Sequence, residues 1–222
     1  MTAKAPELLV FGGAFDPPHA AHRAAAAAAL REFPDAALVL VPGAAPATAG
    51  GGAKTPVASF QDRLAMCRLV SESLGPRASV SDIEARLPTP NYTVTTLKAL
   101  TAQRPGVRLG LLLGQDQVST FLQWREPHTI LNLATLVILP RRDATPGPPT
   151  TSLQHDLSHL FKALPAATDS VHVLAGLDAG PAASHVIRQC LAKGHHASTD
   201  WLPTAVATYI HQHSLYGTRT SI

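Results

Sequence analysis

Two apolar runs of strand length, Glu7-Leu8-Leu9-Val10-Phe11 and Ala37 to Val41, enclose a stretch from Ala20 to Leu30 that is almost all alanine and leucine. Alanine and leucine are the strongest helix formers. A second strand apolar at every position must be covered on both faces. Strand, helix and continuously apolar strand in that order imply a parallel βαβ unit. Further strand-like runs at 78–81, 108–114, 134–142 and 171–176 alternate with helical spacing at 59–74, from about 93 to 102, and from 181 to about 193. The expectation is an α/β fold with a parallel central sheet and helices on both faces. A length of 222 residues fits one domain. Aromatic residues make up 5% of the chain, so alanine, leucine and valine must fill the core.

The turn between the first strand and its helix carries the chemistry. Phe11-Gly12-Gly13-Ala14-Phe15-Asp16-Pro17-Pro18-His19-Ala20-Ala21-His22-Arg23 holds two glycines, an aspartate, two prolines and two histidines. Gly12 and Gly13 allow a tight turn and a close approach to a ligand with no Cβ in the way. The helix that follows points its free N–H groups and positive dipole end into the turn, which favours phosphate. His19 and His22 are three apart and can lie on one side of the first helical turn. Two imidazoles there can donate hydrogen bonds to phosphoryl oxygens where charge builds up. The plainer alternative is a tight loop with two solvated histidines. Neither a P-loop nor the Gly-x-Gly-x-x-Gly dinucleotide fingerprint is present.

Global features exclude several classes. A net charge of +3 without clustering argues against a nucleic-acid surface and suits an anionic nucleotide. Cys67 and Cys190 are isolated and read as core thiols. No leader pattern and no apolar run of membrane length occurs, so a soluble cytoplasmic protein without a membrane partner is expected. The eleven histidines show no metal-ligand spacing, and no metal site is expected in the protein.

Several other segments bear candidate site residues. Gly43 to Ala53 is a glycine-, alanine- and proline-rich loop ending at Lys54, which by composition alone is also an ordinary solvated lysine. In Pro90-Asn91-Tyr92-Thr93, either Asn91 or Thr93 can cap the following helix. Gly114-Gln115-Asp116 stands at the carboxyl end of a core strand, where ligands bind in open parallel sheets. Asp116 can accept from ribose hydroxyls or simply cap a short helix. Trp124 offers a flat face for stacking, although a lone tryptophan is more often core. Arg141 ends the 134–142 strand, where it can pair a phosphate. Residues 143–170 contain a loop followed by a stretch that suggests a peripheral helix, and 177–222 form a helical C-terminal part.

The turn resembles the G-G-x-F-D-P-x-H-x-G-H signature of the nucleotidyltransferase superfamily, with Ala21 in place of the usual glycine. Pro90 to Leu97 resembles the P-x-Y-T-x-x-T-L element of bacterial nicotinate-nucleotide adenylyltransferases, and Leu202 to Tyr216 their terminal helix. The resemblance spans nearly the whole chain except about 143–170. It implies a Rossmann-like nucleotidyltransferase fold. It also implies adenylyl transfer from ATP to nicotinate mononucleotide, giving deamido-NAD and pyrophosphate in NAD biosynthesis. His19, His22 and Arg188 would be catalytic. Gly12, Gly13, Ala14, Phe15, Gly114, Asp116 and Ser184 would bind ATP, while Lys54, Tyr92, Thr93, Trp124 and Arg141 would bind the mononucleotide. Mg²⁺ would arrive on the ATP phosphates. The chain departs from the family's I-S-S-T-x-I-R string by Ala183 and His185, and from its His-Lys pair by Ala53. Alternatives are a nicotinamide mononucleotide or other acceptor, or a non-catalytic nucleotide-binding paralogue. The oligomeric state is left open, a homo-oligomer included.

Overall fold

The structure, a computed structural model, describes residues 4–46, 55–140, 151–174, 183–194 and 200–218. Six strands, β1 (Leu8–Gly13), β2 (Ala37–Pro42), β3 (Ala78–Val80), β4 (Leu109–Gly114), β5 (Ala134–Leu139) and β6 (Val171–Val173), form one sheet in the order β3-β2-β1-β4-β5-β6. Every pairing is parallel, with Leu9 opposite Leu38 and Leu111 opposite Leu136.

The alternation of side chains along each strand divides the core in two. Leu9, Phe11, Leu38, Leu40, Leu112 and Val137 face helices α1 (Ala20–Glu32), α2 (Phe60–Leu74), α7 (Ser184–Ala192) and α8 (Thr204–Gln212). Leu8, Val10, Val39, Leu111, Leu113 and Ile138 face α3 (Thr93–Gln103), α5 (Pro127–Leu133) and α6 (Thr151–Ala163). The parallel sheet with helices on both faces is therefore as expected. The alanine run of α1 packs flat: Ala26 and Ala29 are wholly buried against the sheet.

The chain winds outward from β1 to β3, then crosses to β4 on the other side of β1. That reversal leaves a crevice beyond the carboxyl ends of β1 and β4, the place where such sheets take ligands. Gly12 and Gly13 end one strand there, and Gly114 ends the other.

Two local expectations are corrected. Gly12 and Gly13 do not make the tight turn, since both remain in β1, opposite Val41 and Pro42. The left-handed backbone falls instead on Phe15, at φ 48°. Neither Asn91 nor Thr93 caps α3; Tyr92 is the N-cap, without a side-chain bond, and Thr93 is already helical. By contrast Ser59 caps α2, accepting from the Asp62 amide at 3.1 Å. In the stretch 151–163 a helix does form, and its leucines are more than peripheral: Leu153 and Leu160 are fully buried in the second core.

Candidate active site

The two signature histidines come together through helix geometry. His19 is the N-cap of α1 and His22 lies in its first turn, and their rings stack with centroids 3.8 Å apart. The His19 backbone N–H donates to Nδ1 of His22 at 3.2 Å. An Nδ1 that accepts leaves the proton on Nε2 in a neutral imidazole. His22 is thus fixed as the tautomer whose Nε2–H is a donor. The reciprocal contact, from the His22 amide to the His19 ring, is too loose to be a hydrogen bond, and His19 Nδ1 is buried without a partner among the described residues. The edges of Phe15 and Phe11 close the pocket around the His22 ring at centroid distances of 5.0 and 5.8 Å.

This apolar box sets the charge. Burial pushes the His19 imidazole down to about 4. Burial, and then the neighbouring His19, holds His22 well below its ordinary value. Both rings are neutral at physiological pH, so what they can offer a ligand is an N–H donor and not a positive charge. The same burial makes the fold sensitive to acid. The unfolded chain takes up the His19 proton near pH 6.5, whereas the folded chain does so only near 4. Stability is therefore level above pH 7 and falls as pH drops between those values. His19 alone accounts for about 2 kcal/mol between pH 7 and pH 5. Urea unfolding at the two pH values measures this, and His19→Asn should remove that part of the slope.

The rest of the signature loop is held by a buried polar network. Asp16 accepts from the Val57 and Ala58 amides at 2.8 and 3.0 Å and from the Tyr216 hydroxyl at 2.8 Å. Arg63, 1% exposed on α2, donates to the Ala14 carbonyl at 2.7 Å and to that of Ala58 at 3.3 Å. Helix α7 docks against the same loop: Ser184 donates its hydroxyl proton to the Pro17 carbonyl at 3.0 Å, and Arg188 donates to the Asp16 carbonyl. Among the described residues, a Cβ on Gly12 would meet no atom within 4 Å, so the strand end borders space open to them.

The second group of candidates lies at the start of α3. Asn91 turns away from the helix and clamps the chain after β2, accepting from the Ala45 amide at 2.7 Å and donating to the Glu84 carbonyl at 3.1 Å. Glu84, its carboxyl raised chiefly by burial, accepts from the Thr96 hydroxyl and the Ala44 amide. The guanidinium of Arg125 stacks over the Tyr92 ring at 4.8 Å, and Trp124 lies tilted beside Phe121 at 5.5 Å. Tyr92, Thr93 and the Trp124 element are thus neighbours. The segment from 43 to 46 joins them to the signature loop, because Gly43 N–H donates to the Gly13 carbonyl at 2.9 Å.

The structure therefore gathers Gly12, Gly13, Ala14, Phe15, His19, His22, Ser184 and Arg188 around one turn. Gly114 ends β4, which lies between β1 and β5, and exposed Asp116 follows it in the short helix α4 (Gln115–Val118). Lys54 and Arg141 lie outside the described residues. Sequence reasoning gave no site role to Asp16, Arg63, Tyr216 or Arg125. Arg63 had a signal, since it shares an i, i+4, i+7 stripe with Cys67 and Val70, both buried. Among the described residues no helix is long and apolar enough to cross a membrane, and no cluster of three potential metal ligands occurs.

Comparison with known proteins agrees with this fold. The cytidylyltransferase-like family model matches residues 10–190. A relative from Thermomicrobium roseum, named probable nicotinate-nucleotide adenylyltransferase, is 32% identical over 94% of this chain and 91% of its own length. One of the same name from Acidithiobacillus ferrooxidans is 32% identical over 95% of both chains. The solved nicotinic acid mononucleotide adenylyltransferase of Plasmodium falciparum, complexed with APC, superposes with a TM-score of 0.72 at 16% identity, covering 98% of this chain and all of that one. The glycine-ended strand, the paired histidines and the docked arginine of this crevice thus sit in a chain that belongs to the cytidylyltransferase-like family, alongside relatives named nicotinate-nucleotide adenylyltransferases.

Proposed function

We propose that the chain transfers the adenylyl group of ATP to nicotinate mononucleotide, giving deamido-NAD and pyrophosphate. The observation that carries this reading is the meeting of three features at one turn: an open glycine strand end, a neutral histidine pair and Arg188. A phosphate oxygen of the mononucleotide attacks the α-phosphorus in line. The bond from that phosphorus to the bridging oxygen breaks, and pyrophosphate leaves with the electron pair. Positioning and charge stabilisation carry such a step, with no covalent enzyme intermediate. His19 and His22 donate to the triphosphate oxygens, and Arg188 and Lys54 neutralise them. Gly12, Gly13, Ala14, Phe15, Gly114 and Asp116 line the ATP side. Ser184 has given its only hydroxyl proton to Pro17, so it serves the phosphates through its N–H at the start of α7.

Magnesium, brought on the ATP phosphates, supplies further charge neutralisation there. Both oxygens of the signature-loop carboxylate, Asp16, already accept from protein donors, so the ion would be carried by the phosphates and not by this side chain. Tyr92, Thr93, Trp124, Arg141 and Lys54 hold the acceptor. The stacked guanidinium of Arg125 beside Tyr92 favours an anionic pyridine substituent, the acid over the amide.

Pyrophosphate release with ATP and each of the two pyridine mononucleotides tests the reading. The acid should be preferred at least about tenfold in kcat/KM, the worth of one hydrogen bond to a charged group. A folded sample that binds ATP but releases no pyrophosphate with either acceptor would place the chain among non-catalytic nucleotide binders. The substitutions Ala183 and His185 in the α7 string give that second reading its basis.

A further inference from the structure

Asp16 and Tyr216 have no part in the reaction described so far, yet they form a buried, heavily bonded polar pair beside it. Asp16 is 3% exposed, and four donors from three separate parts of the chain converge on it. The Ala58 amide and the Tyr216 hydroxyl occupy Oδ1, at 3.0 and 2.8 Å. The Val57 amide occupies Oδ2 at 2.8 Å, and Nη1 of Arg188 lies 3.4 Å from the same oxygen. Nη1 also donates to the Asp16 carbonyl. The arginine is therefore held at two points of one residue, while its side chain remains 29% exposed.

Tyr216 comes from the far end of the chain. It reaches Asp16 from a tight C-terminal turn in which Ser214 and Tyr216 both adopt the left-handed region, at φ 49° and 57°. Non-glycine residues stay there only where the surroundings hold them. The turn is held in part by α8, whose Ile210 carbonyl accepts from the Thr218 hydroxyl at 3.2 Å.

We propose that Asp16 is a positioning residue for Arg188. Buttressed by the Tyr216 hydroxyl, it fixes the direction of the guanidinium toward the triphosphate held by His19 and His22. The inference rests on reading Arg188 as the arginine that neutralises that triphosphate. A guanidinium is a rigid planar fork. Fixing the Nη1 edge on two oxygens of Asp16 fixes the plane of the fork, and the entropy of ordering a long side chain is met before the nucleotide arrives. The two amides from 57–58 and the tyrosine keep the carboxylate from following the arginine if it moves.

A double-mutant cycle tests this. Asp16→Asn keeps the shape and leaves an oxygen for Ala58 and Tyr216. It sets an NH₂ against two donors, the Val57 amide and Arg188. The expected result is a fall of about 10- to 100-fold in kcat/KM for ATP, the cost of losing a charged hydrogen bond. In an Arg188→Ala background the same change should cost less than about twofold, because nothing remains to be aimed. Tyr216→Phe, which removes one oxygen, should show the same dependence on Arg188 with a smaller factor, and it carries the cycle if Asp16→Asn does not fold.

Equal losses in both backgrounds would mean that Asp16 is only a fold-holding residue, and the inference would be overturned. Wild-type behaviour of Asp16→Asn or of Arg188→Ala would overturn it as well. The affinity for a non-hydrolysable ATP analogue serves as a second readout of the cycle. Coupling in that affinity, in an enzyme inert toward nicotinate mononucleotide, would sustain the positioning role while the proposed reaction failed.

Discussion

Replacing His22 by asparagine is expected to lower kcat by about 10²- to 10³-fold, the cost of removing one donor from a developing phosphoryl charge, while the protein stays folded. The two ring nitrogens have separate tasks. Nδ1 accepts the His19 N–H at 3.2 Å and so completes the start of α1. Nε2–H is the donor left for the triphosphate. The side-chain oxygen of asparagine can stand where Nδ1 stood, so the helix start keeps its bond. No atom of asparagine reaches the Nε2 position. Loss of part of the ring from the box formed by Phe11, Phe15 and His19 should cost no more than about 1–2 kcal/mol of stability. Glutamine inverts the experiment, since its amide extends to the Nε2 position, and it should recover part of the lost rate. Pyrophosphate release at saturating substrates, run beside thermal melts, separates the two effects. A fully active, stable His22→Asn protein would remove the donor role. Because both imidazoles are held neutral by burial, the rate carried by this donor should also show no ionisation near pH 6.5.

How far the sequence reveals these features depends on which forces write them. The sheet was legible because burial on both faces leaves runs such as Leu38 to Val41 with no polar position. The signature loop was legible because its residue types are few and closely spaced. The conformation of the loop was not. Gly12 and Gly13 suggest a turn, but the ladder to β2 continues through both, and the left-handed residue is Phe15. There an aromatic side chain buried to 1% secures a conformation that local propensity disfavours. The cap of α3 was misread for a related reason: Asn91 has three bonds available in the chain after β2 and near Glu84, and these win over a single cap bond. The Asp16 network joins residues up to 200 positions apart. No local pattern records such a meeting. Only the arginine at position 63, standing in an otherwise apolar stripe, leaves a trace in the sequence.

That arginine supports the largest stability prediction. Arg63→Met keeps an unbranched stem as far as the Nε position and removes the rest of the guanidinium, and it is expected to destabilise the protein by about 3–5 kcal/mol. Two effects oppose each other. Burial penalises the guanidinium and lowers its pKa, and the nearby Asp16 charge offsets part of that cost. Methionine relieves the penalty. It also leaves the Ala14 and Ala58 carbonyls without the donors they have at 2.7 and 3.3 Å. An orphaned buried carbonyl costs about 1–3 kcal/mol. Asp16 would retain Arg188 at 3.4 Å but lose the field of the deeper cation. Two carbonyls and a weakened carboxylate exceed the relief, so the change destabilises. Lysine keeps the charge but has one short-reaching ammonium for two acceptors on different segments, and it should recover less than half. The urea midpoint, read with an unchanged m value, measures the loss. Since Ala14 follows the glycines proposed to line the ATP side, the Met variant that remains folded at low temperature should also bind ATP less tightly. A Met variant as stable as the parent would show that the two carbonyls find other donors, and that Arg63 does not fasten the loop.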